Sequence, residues 1–212
     1  MELYITSIGA GAVGEIFITF EIRNGDMRDT VKFLISDATY IELSLSKGQT
    51  NSDVYDTVER EAQIYAVYKK ALYMLGFSSS SRLTLRRKLI AKGYSAEFSD
   101  LALERLEANG LLRENESALR EGEKCLAKLW GAKRICAHLK EKGYSDDAIN
   151  EVLFAFEDME IDFDENCALL IRKKYSRISL NKTEKKEMQK IIASLTNYGY
   201  SISQIKNALK KI

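Results

Sequence analysis

The residue pattern that most directly suggests chemistry lies near the N-terminus, in the run Gly9-Ala10-Gly11-Ala12-Val13-Gly14. Its GxGxxG spacing matches the fingerprint of a dinucleotide site, in which a pyrophosphate group binds at the N-terminus of a helix. The next residues, Glu15 to Ile22, are mostly β-branched or aromatic, which favours a strand over a helix. We therefore interpret the run as a loop between two strands, and an enzyme built on this loop is the weakest of three functional hypotheses.

Other residue types that carry catalysis or bind metal ions are few. There is one histidine, His138, and the three cysteines follow no metal-binding spacing: Cys125, Cys136 and Cys167. Such thiols are typical of buried, reduced side chains. Three acids precede a predicted helix, where carboxylates favour the positive end of the helix dipole: Asp162, Asp164 and Glu165. We expect no catalytic residue, no metal site and no cofactor, and hence a protein that is not an enzyme.

The composition limits the class of protein. The chain has 212 residues, no proline and a hydrophobic fraction of 45%, which is enough for a folded core. No apolar run approaches the roughly 18 residues that a membrane-spanning helix needs. The first residues also lack the basic and apolar regions of a secretory signal. We therefore expect a cytoplasmic protein that does not enter a membrane.

Charge is distributed unevenly along the chain. Lysine and arginine number 32 and aspartate and glutamate 31, so the formal net charge is only +1. Residues 1–60 carry a net charge of −5, whereas residues 61–212 carry +6. The near-neutral total argues against a uniformly basic nucleic-acid-binding protein, but it conceals an acidic N-terminal part and a basic remainder.

The pattern of apolar residues changes from β to helical near residue 50. Strands are predicted at 3–8, 15–22 and 30–35, with a fourth candidate at 39–45 and a turn at Asn24-Gly25-Asp26. From about Ser52 onward, apolar residues recur every three or four positions, which indicates amphipathic helices. The first three helices are predicted near 54–76, 80–92 and 95–109.

A repeated corner divides the helical part. Lys92-Gly93-Tyr94-Ser95 recurs as Lys142-Gly143-Tyr144-Ser145 and, in weaker form, as Tyr198-Gly199-Tyr200-Ser201. Glycine can adopt the left-handed conformation that ends one helix, and serine can cap the next helix. Apolar pairs precede the corners at one common offset: Leu85 and Leu89, Ile135 and Leu139, Ile191 and Leu195. Each corner therefore predicts a helix–turn–helix joint.

These joints predict a mainly α fold. We expect three tandem three-helix repeats in an elongated array, because such units bury little surface alone and stack on their neighbours. A small β-rich N-terminal segment precedes them. The expected boundaries are 1–50 for the β-rich segment and 51–112, 113–161 and 162–212 for the three helical repeats.

Basic side chains cluster in every predicted repeat. They are Arg82, Arg86, Arg87, Lys88 and Lys92; Lys128, Lys133, Arg134, Lys140 and Lys142; Arg172, Lys173, Lys174 and Arg177; and Lys206, Lys210 and Lys211. A solvated surface explains any single cluster. Recurrence at matching places favours a charged stripe that faces an acidic partner, such as a protein filament or a phosphate backbone. Trp130 and Tyr175 lie among these residues, and Trp130 is compatible with either a core position or an interface anchor.

The repeat pattern resembles the RecX family of bacterial recombinase regulators. The resemblance is carried by Ser81 to Tyr94 with Leu103 to Leu112, by Gly131 to Tyr144, and by the helix pair around Tyr198-Gly199-Tyr200-Ser201. It covers about residues 53–212. The acidic, β-rich segment is similar to an N-terminal extension of some family members.

The resemblance implies a regulator without an active site. Such a protein binds the RecA recombinase in the groove of its nucleoprotein filament and inhibits filament growth, ATP hydrolysis and strand exchange, in recombinational repair and the SOS response. Basic residues of the repeats are then expected to face the filament, with a weak contact to DNA: Arg86, Arg87, Lys88, Lys92, Lys133, Arg134, Lys140 and Lys142. We expect a monomer. The alternative hypothesis is a helical nucleic-acid-binding module that acts independently of RecA.

Overall fold

The protein folds into helices and one small sheet. The computed structural model describes residues 1–176 and 185–212, so Arg177 of the third basic cluster lies outside the described residues. The strands are β1 (Glu2–Ala10), β2 (Glu15–Asn24), β3 (Met27–Ser36) and β4 (Gly48–Thr50). The helices are α1 (Asp37–Glu42), α2 (Ser52–Phe77), α3 (Arg82–Ala91), α4 (Ala96–Ala108), α5 (Glu114–Leu126), α6 (Ala132–Glu141), α7 (Asp146–Asp158), α8 (Phe163–Lys174), α9 (Lys185–Asn197) and α10 (Ile202–Lys210). The predicted class, mainly α with a small β-rich N-terminal segment, is confirmed.

The four strands form an antiparallel sheet in the order β3-β2-β1-β4. The glycine-rich run is the turn between β1 and β2. There the Gly11 amide donates to the Glu15 carbonyl, and the Glu15 amide donates to the Ala12 carbonyl. A strand follows Gly14, as predicted, so this segment lacks the helix N-terminus against which a pyrophosphate group would bind.

The prediction of a fourth strand at 39–45 is wrong. This segment begins as the short helix α1, and the strand that completes the sheet is β4, which pairs with β1. The reason is local. The Ser36 hydroxyl accepts a hydrogen bond from the Thr39 amide at 3.0 Å and so caps a helix start directly after β3. This cap outweighs the β-branched and aromatic composition of residues 39–41.

One compact unit is formed by two stretches of chain, Met1–Ser78 and Leu85–Leu112. It contains the sheet, α2, most of α3, and α4. Near the start of α2, Val58 is buried with Phe20 of the sheet. Further along the same helix, Ile64 is buried with Leu103 of α4 in a second core. Helix α2 therefore contributes to both cores, and the division of this region at residue 50 remains a prediction.

The other compact unit is formed by Ser79–Thr84 and Arg113–Ile212. Helices α5, α6 and α7 enclose one core, in which Ile135 and Phe156 are almost inaccessible to solvent. Helices α8, α9 and α10 enclose another core, in which Leu195 and Tyr200 are fully buried. These helix triplets are compatible with the predicted three-helix repeats.

The Gly-Tyr-Ser corners have the predicted geometry. The glycines have φ angles of +92°, +78° and +95°, at Gly93, Gly143 and Gly199 respectively. In each corner the tyrosine amide donates to a leucine carbonyl of the helix that ends there, at 3.1 to 3.3 Å. The corner serines accept a hydrogen bond from the amide three residues later: Ser95, Ser145 and Ser201. The three predicted apolar pairs that precede the corners are all buried.

Within residues 1–176 and 185–212, no helix combines the length and the apolar composition that crossing a bilayer requires.

Two adjacent leucines of α8 test which face of this helix packs into the core of α8, α9 and α10. Leu170 is buried, with 5% of its surface exposed, whereas Leu169 is 43% exposed. We expect Leu170→Ala to lower the free energy of unfolding by about 2–5 kcal/mol, because it leaves a cavity. The matched control Leu169→Ala should lower it by less than about 1 kcal/mol. Chemical denaturation followed by circular dichroism measures both values, and equal losses would show that α8 is oriented differently.

Candidate functional site

A contact between two glycines brings α6 close to the end of α9. The Gly131 amide donates to the Tyr198 carbonyl at 2.8 Å. A Cβ atom at Gly131 would lie 2.5 Å from the carbonyl carbon and oxygen of Gly199, and one at Gly199 would lie 2.5 Å from the Arg134 amide nitrogen. Backbone fills the space on both sides, so neither position can hold a side chain without a shift of the chain. The contact places Arg134 beside Tyr198.

A buried tyrosine adds a second contact at this junction between the start of α6 and the end of α9. The Tyr200 hydroxyl donates to the Leu129 carbonyl at 2.8 Å, and the ring is fully buried. Burial raises the pKa of Tyr200 well above its ordinary value, so the hydroxyl remains a hydrogen-bond donor. Leu129 itself has a φ angle of +56°, a conformation that residues other than glycine rarely adopt. The chain just before Trp130 is thus fixed by a tertiary contact.

Cations and aromatic rings alternate on this junction. The Arg134 guanidinium lies 4.0 Å from the centroid of the Trp130 ring and 5.1 Å from that of Tyr198. The Lys174 ammonium lies 4.7 Å from the Tyr198 ring, and the Lys128 ammonium lies 5.3 Å from the Trp130 ring. All four distances are within the range of cation–π attraction. We call these residues the cation–aromatic cluster: Lys128, Trp130, Arg134, Lys174 and Tyr198.

The cation–aromatic cluster keeps its positive charge. Among the described residues, no carboxylate forms an ion pair with Lys128, Arg134 or Lys174. The nearest polar partner of Lys174 is the neutral Ser194 hydroxyl, at 2.7 Å. An aromatic ring attracts a cation through its quadrupole but carries no net charge, so the attraction orients the cations without neutralising them. The arrangement is suited to a polyanion, or to an acidic surface of another protein.

The predicted residues of α3 have different environments. Arg86 forms a bidentate ion pair with Asp100, with distances of 2.6 and 2.9 Å. This hydrogen bonding raises the pKa of Arg86 above its ordinary value, and the carboxylate neutralises its charge. Arg87, Lys88 and Lys92 are exposed at or near the end of the helix. All three residues are more exposed than Arg86, which is half-buried.

The predicted residues of α6 and its C-terminus also divide into two kinds. Lys133 is exposed, and Arg134 belongs to the cation–aromatic cluster. Lys140 pairs with Asp146 at 3.2 Å, but both side chains are more than 70% exposed, so water screens the attraction. Lys142 pairs with Glu121 at 3.3 Å. Lys133 and Arg134 are therefore the members of this group without a carboxylate partner in the described chain.

The basic residues recur at equivalent positions only in part. The corner glycines Gly93 and Gly143 set the register between α3 and α6, and in this register Lys92 corresponds to Lys142. Lys133 and Arg134, however, correspond to Leu83 and Thr84. The positions of the basic residues therefore differ between the helix triplets, whereas the positions of the buried apolar residues repeat.

The sequence pointed to part of the cation–aromatic cluster. The basic clusters included Lys128, Arg134 and Lys174, and Trp130 stood out among them. Tyr198 was recognised only as part of a repeated corner. Its role at the junction depends on the contact between Gly131 and Gly199, which joins the start of α6 to the third corner, and no local spacing signals that contact.

Similarity to known proteins points to one family, although no protein-family model matches the chain. The regulatory protein RecX of Pelodictyon phaeoclathratiforme is 29% identical over 66% of this chain and 84% of its own length. The regulatory protein RecX of Haemophilus influenzae is 32% identical over 57% of this chain and 77% of its own length. A crystal structure of a regulatory protein RecX superposes with a TM-score of 0.72 at 22% identity and covers 97% of this chain and 99% of the other. The last similarity supports the fold of nearly the whole chain, including the β-rich segment.

Two glycines with almost the same backbone conformation test the junction. Gly93 and Gly199 have φ angles of +92° and +95°, but a Cβ at Gly93 would meet no atom within 4 Å. We expect Gly93→Ala to cost about 1–2 kcal/mol from the left-handed conformation alone. Gly199→Ala should cost at least about 1 kcal/mol more, because its Cβ overlaps backbone atoms. Denaturant unfolding of both variants measures the difference, and equal costs would contradict the close backbone contact.

Proposed function

Since this chain belongs to the RecX family of regulatory proteins, we propose that it binds the RecA recombinase on single-stranded DNA. There it limits filament growth, strand exchange and the ATP hydrolysis coupled to them. The premise is supported by relatives named as RecX regulatory proteins and by the fold that the chain shares with a RecX crystal structure. In this proposal the protein acts in the cytoplasm as a monomer and performs no chemistry of its own.

The observation that carries the proposal is the un-neutralised cation–aromatic cluster. A filament on DNA carries the phosphate groups of that DNA, and phosphates attract cations that carry no internal partner. Lys128, Arg134 and Lys174 are held in position by aromatic rings and by the glycine contact, so little side-chain entropy is lost when they bind. A preorganised charged surface of this kind increases both the rate and the specificity of association.

Exposed predicted cations are further candidate contacts in each compact unit, taken separately. We assign partner contacts to Arg87, Lys88 and Lys92 in one unit, and to Lys133, Lys140 and Lys142 together with Arg134 in the other. Arg86 contributes less than predicted, since Asp100 already neutralises it and the pair fastens α3 to α4. Inhibition requires only that a bound protein block neighbouring filament subunits or the DNA between them.

Charge reversal in the cation–aromatic cluster tests this proposal. The wild-type protein should lower the single-stranded-DNA-dependent ATPase rate of RecA. The variant Lys128→Glu/Arg134→Glu/Lys174→Glu should need at least about tenfold more protein for the same inhibition, which corresponds to about 1.4 kcal/mol of lost binding. The ATPase rate over a range of protein concentrations gives the half-inhibitory value, and sedimentation with filaments reports binding directly.

The control for this experiment changes the net charge by the same amount elsewhere. Lys47, Arg60 and Arg120 are exposed and belong to no proposed contact. Lys47→Glu/Arg60→Glu/Arg120→Glu should inhibit nearly as well as the wild type, provided that circular dichroism shows equal helix content. If the wild-type protein neither changes hydrolysis nor sediments with filaments, the proposal of RecA regulation is wrong. If both triple variants lose inhibition equally, overall charge and not the cluster is responsible.

The same cluster favours one alternative function, direct binding of single-stranded nucleic acid without RecA. Clustered cations and aromatic rings also characterise proteins that bind single strands through phosphates and base stacking. In this structure, however, cations lie over the Trp130 and Tyr198 rings. Because bases would have to displace those cations before they could stack, we favour phosphate contacts over base stacking. The similarity to RecX regulatory proteins, and not this geometry, favours a filament over a free strand.

The salt dependence of binding separates these two functions. If the protein binds free single-stranded DNA through phosphates, the logarithm of the binding constant should fall linearly with the logarithm of salt concentration. Lys174→Gln should then reduce the slope by about 0.7, which is the effect of one lost phosphate contact on a single strand. Fluorescence anisotropy of a labelled oligonucleotide without RecA measures the slope. A slope that is unchanged in Lys174→Gln would exclude a phosphate contact at this residue.

A further inference from the structure

Three potential metal ligands meet between α5 and α6, and none of the three belongs to the cation–aromatic cluster. Glu121 and Cys125 are four residues apart on α5, so their side chains lie on the same face of that helix. His138 approaches them from α6. The carboxylate oxygen, the thiol sulfur and an imidazole nitrogen all lie within 4.8 Å of one another. We propose that these three side chains bind a zinc-like divalent cation.

The donor set suits this class of metal ion. A thiolate, an imidazole and a carboxylate are all ligands of Zn²⁺, and a site with three protein ligands keeps the fourth position for water. With Cys125 as thiolate, Glu121 ionised and His138 neutral, the ligands carry two negative charges, which match a divalent cation. Hard ions such as Mg²⁺ and Ca²⁺ prefer oxygen ligands, so a site with a thiolate discriminates against them.

Coordination would require only small side-chain rotations, because the three ligand atoms already lie within 4.8 Å of one another. Around a tetrahedral zinc ion, neighbouring ligand atoms are roughly 3.3 to 3.7 Å apart. The Glu121 carboxylate and the His138 Nε2 atom are now 2.9 Å apart, joined by a hydrogen bond, and the metal ion would replace the proton between them. About 18% of the Glu121 side chain and 21% of the His138 side chain are exposed, which leaves a path for the ion from solvent.

The thiol lies on the inner side of the cluster. Cys125 is fully buried, and burial raises the pKa of its thiol above the ordinary value. The thiol is therefore protonated in the metal-free protein, and binding of the ion releases that proton. Among the described residues, Glu121 and His138 are the potential ligands grouped with this thiol.

Two lysine ammonium groups compete with the metal ion for Glu121. The Lys142 ammonium lies 3.3 Å from the same Glu121 oxygen that bonds to His138, and the Lys124 ammonium lies 3.6 Å from the other oxygen. Hydrogen bonding to His138 and the attraction of these lysines lower the pKa of Glu121, so its carboxylate is ionised and available. A bound cation would take over Glu121 and release Lys142 to solvent. The lysine therefore supplies an independent test of the site.

Cobalt(II) is the probe for the experiment, because a cobalt–thiolate bond gives a charge-transfer absorption band that other ligand types do not. The full chain, kept reduced with a phosphine, is titrated with Co²⁺ and then with Zn²⁺, which should displace the cobalt and abolish the band. We expect one Co²⁺ per chain and a higher melting temperature in the presence of Zn²⁺. The absence of both a charge-transfer band and a thermal shift would overturn the proposal.

Variants assign the ligands. Cys125→Ala should abolish the charge-transfer band, whereas Cys136→Ala, which removes a half-buried cysteine of α6 outside the cluster, should leave it intact. His138→Gln should weaken binding by at least about tenfold, and it decides the question if Cys125→Ala fails to fold. Lys142→Gln should bind Co²⁺ more tightly than the wild type. A band that persists in Cys125→Ala, or equal affinity in His138→Gln, would place the metal ion elsewhere and refute the site.

This inference is independent of the regulatory function. The titration contains neither RecA nor DNA, so a failure of metal binding would leave the proposed regulation untouched. A failure of RecA inhibition would equally leave the metal site standing.

Discussion

The backbone contact between Gly131 and Gly199 is the constraint on which the proposed functional surface depends. It joins the start of α6 to the end of α9 at a distance that only glycine permits, since a Cβ at either position would meet backbone atoms at 2.5 Å. Helices that meet through larger side chains are typically 8–10 Å apart. Here the two backbone segments touch directly. As a result Trp130 and Tyr198, which belong to different helix triplets, flank Arg134.

Whether a neighbouring group neutralises the charge of a basic side chain decides how strongly that side chain can attract an acidic partner. Arg86 and Arg134 illustrate the two cases. Arg86 faces the carboxylate of Asp100, which cancels its charge and makes it a link between α3 and α4. Arg134 faces the Trp130 and Tyr198 rings, which position the guanidinium but leave its charge intact. The structure around a basic residue must therefore be known before the residue can be judged as a candidate contact. The formal net charge of +1 carries little information about the surroundings of Arg86 or Arg134.

Local signals in the sequence were sufficient for the corners, and long-range contacts were not accessible from it. Gly143 and Ser145 act within a few residues, on one helix end and the next helix start, so their types and spacing predicted the structure. The helix α1 was missed although its cap at Ser36 is also local, because β-branched and aromatic residues outweighed a single serine in the pattern. The approach of Tyr198 to Arg134, and of His138 to Glu121, depends on how helices pack, which no spacing within one helix encodes.

Trp130 lies between the cation–aromatic cluster and the three potential metal ligands. Its position also answers whether it is a core residue or a surface residue. Arg134 and His138 are four residues apart, so they lie on one face of α6, and the indole packs against both. Its face lies 4.0 Å from the Arg134 guanidinium, and its ring meets the His138 ring edge-on with centroids 5.3 Å apart. The side chain is half-buried and touches the core of α5 to α7. Trp130 is therefore both a core residue and a support for the surface, because its ring packs against the Arg134 guanidinium and the His138 imidazole.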